Sequence, residues 1–484
     1  LSDVDGVKGG KVRGVNLGNW LVVEGWMKPS LFDGIPEGDM LDGVKVRFRS
    51  LRLNKYVSAK NGGGSGVTVD EDKGDTWETF RLWRVSQSDY QLRALKGQFL
   101  TCTGRGASVT ATSESPSFAE TFTIERGSND KVRIKHSSGT YLQASSNALT
   151  ADYVGTPGFD DGNAAVFEMT FHGDVGKGEY QLSNGHGPDK AKEVLTQHRN
   201  SYVTREDFQY LNQHGINTVR IPVGWWIAKD PNPPAPYVGG SLAALDNAFR
   251  WAQDFGIKCI IDLHAAPGSQ NGLDHSSTRD GSIDWMEPSN IQQSLDAIEF
   301  LAKKYGSDPA LLGIELLNEP TPKVDLDILK KYYKDGYDIV RKYSSTAYVL
   351  MCQRIGENPE GLYRAIANMG LSNVVIDSHY YNLFFDQGFK NMSPQDNIDF
   401  IYRERKPKIE SLNDANGPLV FIGEWVNEWE FKGGSQKDYQ NFGSAQLDVY
   451  GSASFGWAYW SLKTDDNNPR WDLKRSIDSG YLLL

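Results

Sequence analysis

The sequence predicts an α/β protein, a (β/α)8 TIM barrel with an all-β trefoil domain inserted after its first strand. Three observations predict it. A stretch near the N-terminus repeats itself three times in short alternating strands. The rest alternates strand-like apolar runs with helical patterns. At 484 residues the chain is also longer than a plain barrel of about 250 by more than one small domain.

The first barrel strand is read at residues 11–19, ending in Asn16-Leu17-Gly18-Asn19-Trp20. From 42 to 172 the chain turns short-period and rich in Gly, Ser and Thr. Three similar segments begin at Val46, Tyr90 and Val132, and in them Val57, Leu100 and Leu142 stand 43 and 42 residues apart. Each is followed by an aromatic-centred stretch read as a strand: Trp77-Glu78-Thr79-Phe80, Ala119-Glu120-Thr121-Phe122 and Ala164-Ala165-Val166-Phe167. Phe80, Phe122 and Phe167 keep the period at 42 and 45. Of the three-fold all-β architectures, a β-trefoil fits this repeat length best. Residues 42–172 are therefore assigned to the insertion, and 1–41 with 173–484 to the barrel.

Seven more strands are read at 217–223, 258–264, 313–317, 347–352, 373–379, 419–424 and 455–460. Helical spacing of apolar residues marks 241–255, 290–305, 325–343 and 397–412. Thr204-Arg205-Glu206-Asp207 is a capping box, whose side chains satisfy amides that a helix start leaves unpaired, and that helix ends near Gly215. A doubly wound sheet would need a Gly-rich phosphate loop after an early strand, and the sequence has none.

Composition excludes several classes. A net charge of −11 argues against nucleic-acid and anionic-membrane partners, which require basic patches. No apolar run approaches the roughly 18 residues of a membrane span. Cys102, Cys259 and Cys352 are too scattered for a disulfide framework or a CxxC zinc site and read as small buried hydrophobes. The start, Leu1-Ser2-Asp3, lacks a basic-then-apolar segment and reads as mature or leaderless. Asn391-Met392-Ser393 is a glycosylation sequon, weakened by the following Pro394.

Barrel chemistry sits where strands end. Those ends carry Glu24 beyond strand one, Arg220 and Trp225 on strand two, and His264 and Asp274 on and after strand three. Asn318 and Glu319 follow strand four, His379, Tyr381 and Phe384 strand six, Glu424 strand seven, and Trp460 strand eight. Two carboxylates across a sugar-sized gap are what glycosidic cleavage needs: one protonates the leaving oxygen and the other captures the oxocarbenium-like carbon. Either Glu alone would read as an ordinary surface residue. With Arg220, His264 and His379 at neighbouring strand ends, the pair reads as an active site. The two His lack the spacing and the third ligand of a metal site, so no metal and no cofactor is expected. Glu428 and Glu430, past the strand end, read as a solvated loop.

Leu317-Asn318-Glu319-Pro320, Gly423-Glu424-Trp425 and Val219-Arg220-Ile221-Pro222 are similar to glycoside hydrolase family 5. The run from Arg13 to Glu24 and His264-Ala265-Ala266-Pro267-Gly268-Ser269-Gln270-Asn271-Gly272 resemble its exo-β-1,3-glucanase branch. A family-5 barrel with a fascin-like insertion resembles the plant β-glucosidase members. The resemblance implies a retaining mechanism, with Glu319 as acid/base, Glu424 as nucleophile, and carboxyls about 5–5.5 Å apart. It also implies that Glu24 and Asp274 grip the outer hydroxyls of a terminal glucosyl unit, which makes the action exo.

Beside the second carboxylate, Glu319 is expected to have a raised pKa, while Glu424 stays ionised beside Arg220 and Tyr381. Asn318 is suited to the sugar 2-OH, His264 and His379 to orienting hydroxyls or carboxylates, and Trp460 to a platform under the sugar. For Trp225 and Phe384 two readings stay open, lining the aglycone side or packing under loops. The insertion would wall the substrate entrance, hold longer chains, or serve as a spacer. The expected substrate is a β-glucan oligosaccharide or small β-glucoside, with transglycosylation when an alcohol replaces water. A glycosidase or diglycosidase of plant phenolic or terpenoid glycosides is the alternative, and a non-catalytic carbohydrate-binding protein is the alternative of another class. The expected location is extracellular or in the cell wall.

Overall fold

The computed structural model describes residues 3–384, 388–414 and 416–484. The chain forms two compact units: Leu1–Leu31, Pro188–Thr278 and Ser282–Leu484 in one, Phe32–Gly187 and Arg279–Gly281 in the other.

In the first unit eight parallel strands close into a barrel: Val12–Asn16, Thr218–Gly224, Lys258–Ala265, Leu311–Glu315, Tyr348–Cys352, Val374–Asn382, Leu419–Trp429 and Gly456–Tyr459. The last pairs back to the first, with Arg13 opposite Trp457 and Val15 opposite Tyr459. Helices outside and side chains inside leave such strands no wet face, so they read as continuous apolar runs. In Lys258–Ala265 every residue after Lys258 is buried.

The Thr204 capping box opens Arg205–Gln213, with the Thr204 amide donating to Asp207 Oδ2 at 2.9 Å. Ser241–Phe255 ends at Gly256, whose φ of 65° is the left-handed turn that suits glycine. Pro288–Tyr305 and Leu326–Tyr343 lie where helices were expected. Two expectations need correction. The stretch 397–412 is not one helix: Pro394–Phe400 and Lys406–Leu412 flank a π-turn, Ile401–Arg405. Pro407 has no amide to donate into the preceding turn, which accounts for the widening. The seventh strand runs on to Trp429, which places Glu428 inside it and buried rather than on a solvated loop.

In the second unit twelve strands between Lys45 and Phe171 form one antiparallel-paired sheet system. They fall into three sets of four, each set spanning one sequence repeat. Lys45–Ser50 alternates half-buried and buried residues, the period-2 pattern of a strand with one core face. Phe80, Phe122 and Phe167 meet in that core with no exposed surface. The aromatic-centred stretches differ from expectation at their starts. Thr76–Glu78 and Phe118–Glu120 are single 3-10 turns, and the strands begin at Phe80 and Phe122. A repeated Glu makes the turn: Glu78 Oε1 accepts from the Asp75 amide at 3.0 Å, and Glu120 Oε1 from the Ser117 amide at 2.9 Å.

Candidate active site

The floor of the site is the guanidinium of Arg220, which the second barrel strand carries inside the barrel with no exposed surface. Its Nε donates to Glu315 Oε1 at 2.7 Å, and Nη1 to Asn16 Oδ1 at 2.9 Å and Glu424 Oε1 at 3.1 Å. Nη2 donates to Asn318 Oδ1 at 2.8 Å and stands 3.2 Å from Asp262 Oδ2. Burial disfavours the Arg220 charge, but Asp262, Glu315, Asp377 and Glu424 overcome it and hold its pKa well above the ordinary value. Its fork therefore fixes groups from strands one, three, four and seven at once.

Glu424 Oε2 accepts from the Tyr381 hydroxyl at 2.7 Å. Glu319 follows strand four with a φ of 43°, a left-handed conformation that costs a residue with a side chain about 1–3 kcal/mol. Side-chain amides hold this backbone in place: Gln270 Nε2 donates to the Asn318 carbonyl at 2.8 Å, and Asn271 Nδ2 to the Glu319 carbonyl at 3.0 Å. One oxygen of Glu319, one of Glu424 and a ring nitrogen of His379 all lie within 4.8 Å of one another. The third donor that the sequence withheld from a metal site is thus present in space. In this arrangement, however, His379 already meets Glu319 Oε2 at 3.0 Å through Nδ1 and Asp377 Oδ2 at 2.9 Å through Nε2.

His379 changes the expected charges. Burial alone would lower its pKa, but Glu424 and Asp377 hold it well above 6.5, as an imidazolium. Burial alone would raise Glu319, but the hydrogen bond and charge of His379, with His275 and His264, bring it down to about 2. The raised pKa expected for Glu319 is therefore corrected, since that expectation counted the second carboxylate and not the imidazole beside it. Glu424 moves the other way: burial and Glu319 raise it, against His379, Arg220 and Tyr381. The imidazolium is nearer to Glu319, since its Nδ1 is 3.5 Å from Glu424.

A cavity of about 660 Å³ lies over these groups, lined by every sequence-expected site residue except Trp225 and, beneath it, Arg220 and Asn318. At one end Glu24 and Asp274 come together. Glu24 Oε1 accepts from Trp26 Nε1 at 3.1 Å, and Oε2 is buried without a hydrogen-bond partner among the described residues. Burial first, then the Asp274 charge, raise the Glu24 pKa well above 4.5, and burial raises Asp274 against the pull of His275. Trp460 lies parallel to His264, ring centroids 5.7 Å apart, and His264 Nδ1 donates to Asp262 at 2.6 Å. Asn318 Nδ2 is buried with no partner among the described residues, a donor free for a hydroxyl.

Phe384 lines the other side, 68% exposed, against Tyr381 and Trp471. Trp225 packs on Trp226 and Tyr237 and is not among the lining residues. Sequence reasoning missed Trp471 and Trp26, which stack edge to face at 5.4 Å, and the buried acids Glu315 and Asp377. It also missed His275, although this residue adjoins Asp274 in the same loop. Glu428 is bound by Arg470 Nη2 at 2.7 Å and stands apart from the cavity lining.

A closed parallel barrel with paired carboxylates, a buried arginine and an aromatic-walled cavity at its strand ends defines a glycosidase. Residues 184–466 match the cellulase family (glycosyl hydrolase family 5), and the chain belongs to that family. Residues 37–171 match a domain of unknown function, DUF7910. A probable glucan 1,3-beta-glucosidase A of Aspergillus clavatus is 33% identical over 337 residues, 62% of this chain and 79% of that protein. A glucan 1,3-beta-glucosidase of Yarrowia lipolytica is 32% identical over the same span and shares. The structure of a rutinosidase from Aspergillus niger has the same barrel fold, with a TM-score of 0.55 at 22% identity over 64% of this chain and 90% of that one.

Proposed function

We propose that the protein is a retaining, exo-acting β-glucosidase of the glucan 1,3-β-glucosidase kind, with Glu424 as nucleophile and Glu319 as acid/base. The carrying observation is the approach of the two carboxylates to within 4.8 Å, oxygen to oxygen, the short separation of retaining rather than inverting enzymes. Glu424 Oε2, aligned by Tyr381, attacks C1 while the C1–O bond breaks and the leaving oxygen takes a proton. In the free site that proton rests on His379, 3.0 Å from Glu319 Oε2. As Glu424 becomes an ester it loses its charge, the largest support for the imidazolium. In that same step the proton passes through Glu319 to the departing oxygen. Glu319, now a carboxylate, takes a proton from the water or alcohol that resolves the intermediate.

The glucan 1,3-β-glucosidase relatives support the terminal β-glucosyl substrate, and so does the Glu24/Asp274 end of the cavity, which would hold the outer hydroxyls. A second reading, cleavage of small phenolic glycosides or disaccharide glycosides, is favoured by a cavity roomier than one sugar and walled by Phe384, Trp471 and Trp26. We also read the all-β unit as a β-trefoil of fascin-like kind, supported by three repeats of four strands, and the protein as a secreted plant-type enzyme. Asn391 is exposed and open to glycosylation, and a mass shift on N-glycosidase treatment of the native protein tests that point. Assays of the protein, Glu424→Ala and Glu319→Ala on an aryl β-glucoside test the enzyme. Loss of about 10³-fold or more in Glu424→Ala is expected, and equal turnover by all three would refute the assignment. A panel of laminari-oligosaccharides and phenolic glycosides then separates the two substrate readings.

A further inference from the structure

His275 stands outside the expected machinery, on the single 3-10 turn Asp274–Ser276 that follows strand three. Its backbone amide is fixed by Asp274 Oδ1 at 2.9 Å, and its ring lies 5.4 Å from that of His264. Nε2 faces Glu319 Oε1 at 3.6 Å, on the carboxylate oxygen that His379 leaves free. Nδ1 is buried and meets no hydrogen-bond partner among the described residues. A buried N–H without an acceptor is costly, so the ring carries its proton on Nε2, where it points at Glu319.

We propose that His275 is a positioning residue for Glu319, orienting Oε1 through an Nε2–H donor and favouring the carboxylate form needed to resolve the glycosyl-enzyme. The proposal rests on the reading of Glu319 as acid/base. In that second half-reaction a water oxygen bonds to C1, and the C1–O bond to Glu424 breaks with its electron pair returning to the carboxylate. A water proton passes to Glu319. The oxygen that receives it must be unprotonated and aimed at the water. Oε2 is occupied by His379, which leaves Oε1, faced by His275 Nε2. At 3.6 Å the contact is longer than a hydrogen bond, and a small rotation of the imidazole closes it. The first half-reaction with a good leaving group needs no proton from Glu319, so it does not draw on this contact.

The test uses 2,4-dinitrophenyl β-glucoside, whose departure needs no acid, so that resolution of the intermediate limits kcat. His275→Leu removes the donor, and His275→Gln returns an amide N–H near the place of Nε2. With the Leu variant kcat is expected to fall about tenfold, with a burst of dinitrophenolate at unchanged amplitude. Azide, a nucleophile that needs no base, is expected to restore the rate and yield β-glucosyl azide. The Gln variant is expected within about threefold of the parent. If the Leu variant fails to fold, His275→Asn, whose shorter amide stops short of Oε1, replaces it with the same expectation. A parent-like kcat, or a fall that azide leaves unchanged and Gln does not relieve, overturns the proposal. Glu424→Ala is run beside them: activity retained there sinks the glycosidase assignment itself, whereas an inactive Glu424→Ala with a parent-like His275→Leu sinks only the role of His275.

Discussion

Arg220 Nη1 donates to Glu424 Oε1 at 3.1 Å from a side chain with no exposed surface. The same guanidinium binds Glu315 and Asn318, so the position of Glu424, the proposed nucleophile, is tied to that of the residue before Glu319, the proposed acid/base. Removing a buried charge that several carboxylates share leaves those charges uncompensated, at about 3–5 kcal/mol. Arg220→Met should lower stability by about that amount and kcat/KM by at least about a hundredfold. Arg220→Lys should not rescue it, because an ammonium lacks the planar fork that reaches Asn16, Glu315, Asn318 and Glu424 together. Urea unfolding and kcat/KM on an aryl β-glucoside check both, and a parent-like Lys variant contradicts the argument.

Glu24 predicts a pH dependence of stability. Burial and the nearby Asp274 raise its pKa in the folded protein, so at mildly acidic pH the folded state binds a proton that the unfolded chain has released. Stability from this group is complete below the ordinary value near 4.5 and is lost as pH rises from there through the folded value. The Tm of the parent should therefore decline as pH rises above about 4.5. Glu24→Gln, which carries no titrating proton, should show a shallower decline over the same range. Thermal scans at matched ionic strength decide it, and parallel curves would exclude Glu24 as the source.

Gly18 is small because Trp460 leaves no room. A Cβ there would meet Trp460 Cζ2 at 2.7 Å and Ser461 Oγ at 2.9 Å. Gly18→Ala should push the indole off its place parallel to His264 and so disturb the proposed sugar platform. KM for an aryl β-glucoside should rise about fivefold or more while the fold is retained, since overpacking typically costs about 1–3 kcal/mol. Unchanged KM and unchanged Trp fluorescence would show that the ring does not move.

The barrel was legible because parallel strands buried on both faces write continuous apolar runs, as Cys259-Ile260-Ile261 does, and caps such as Thr204/Asp207 punctuate the helices. The repeat was legible because Phe80, Phe122 and Phe167 fill one core at a fixed spacing. The turns before the strands were not, because Glu78 and Glu120 look like ordinary strand-face acids until their bonds to backbone amides are seen. Motif residues Glu319, Glu424, Arg220 and His379 could be picked out one by one, yet the proton's place depends on a 3.0 Å distance between His379 and Glu319 that no linear pattern encodes. Trp471 and Glu315 escaped for a similar reason: one lies on a loop without periodicity, and the other looks like any charge inside an apolar run.

Glu428 is the sharpest test of that distinction, since it stands four residues from Glu424 on the same strand. It is buried, with Oε2 accepting from Arg470 Nε at 2.8 Å and Oε1 from the Trp429 amide at 2.9 Å and the Tyr439 hydroxyl at 3.1 Å. These bonds tie the end of the seventh strand to the turn Pro469–Trp471 and therefore support Trp471 at the cavity wall. Glu428→Ala leaves the Arg470 charge unpaired, though that side chain is 20% exposed to water, so a loss of about 2–4 kcal/mol is expected. Because Glu428 touches no reacting group, kcat on an aryl β-glucoside measured well below Tm should stay within about twofold of the parent. KM should rise modestly as Trp471 loosens. A fall in kcat of the size expected for Glu424→Ala would make Glu428 the nucleophile instead, and would overturn the assignment of Glu424.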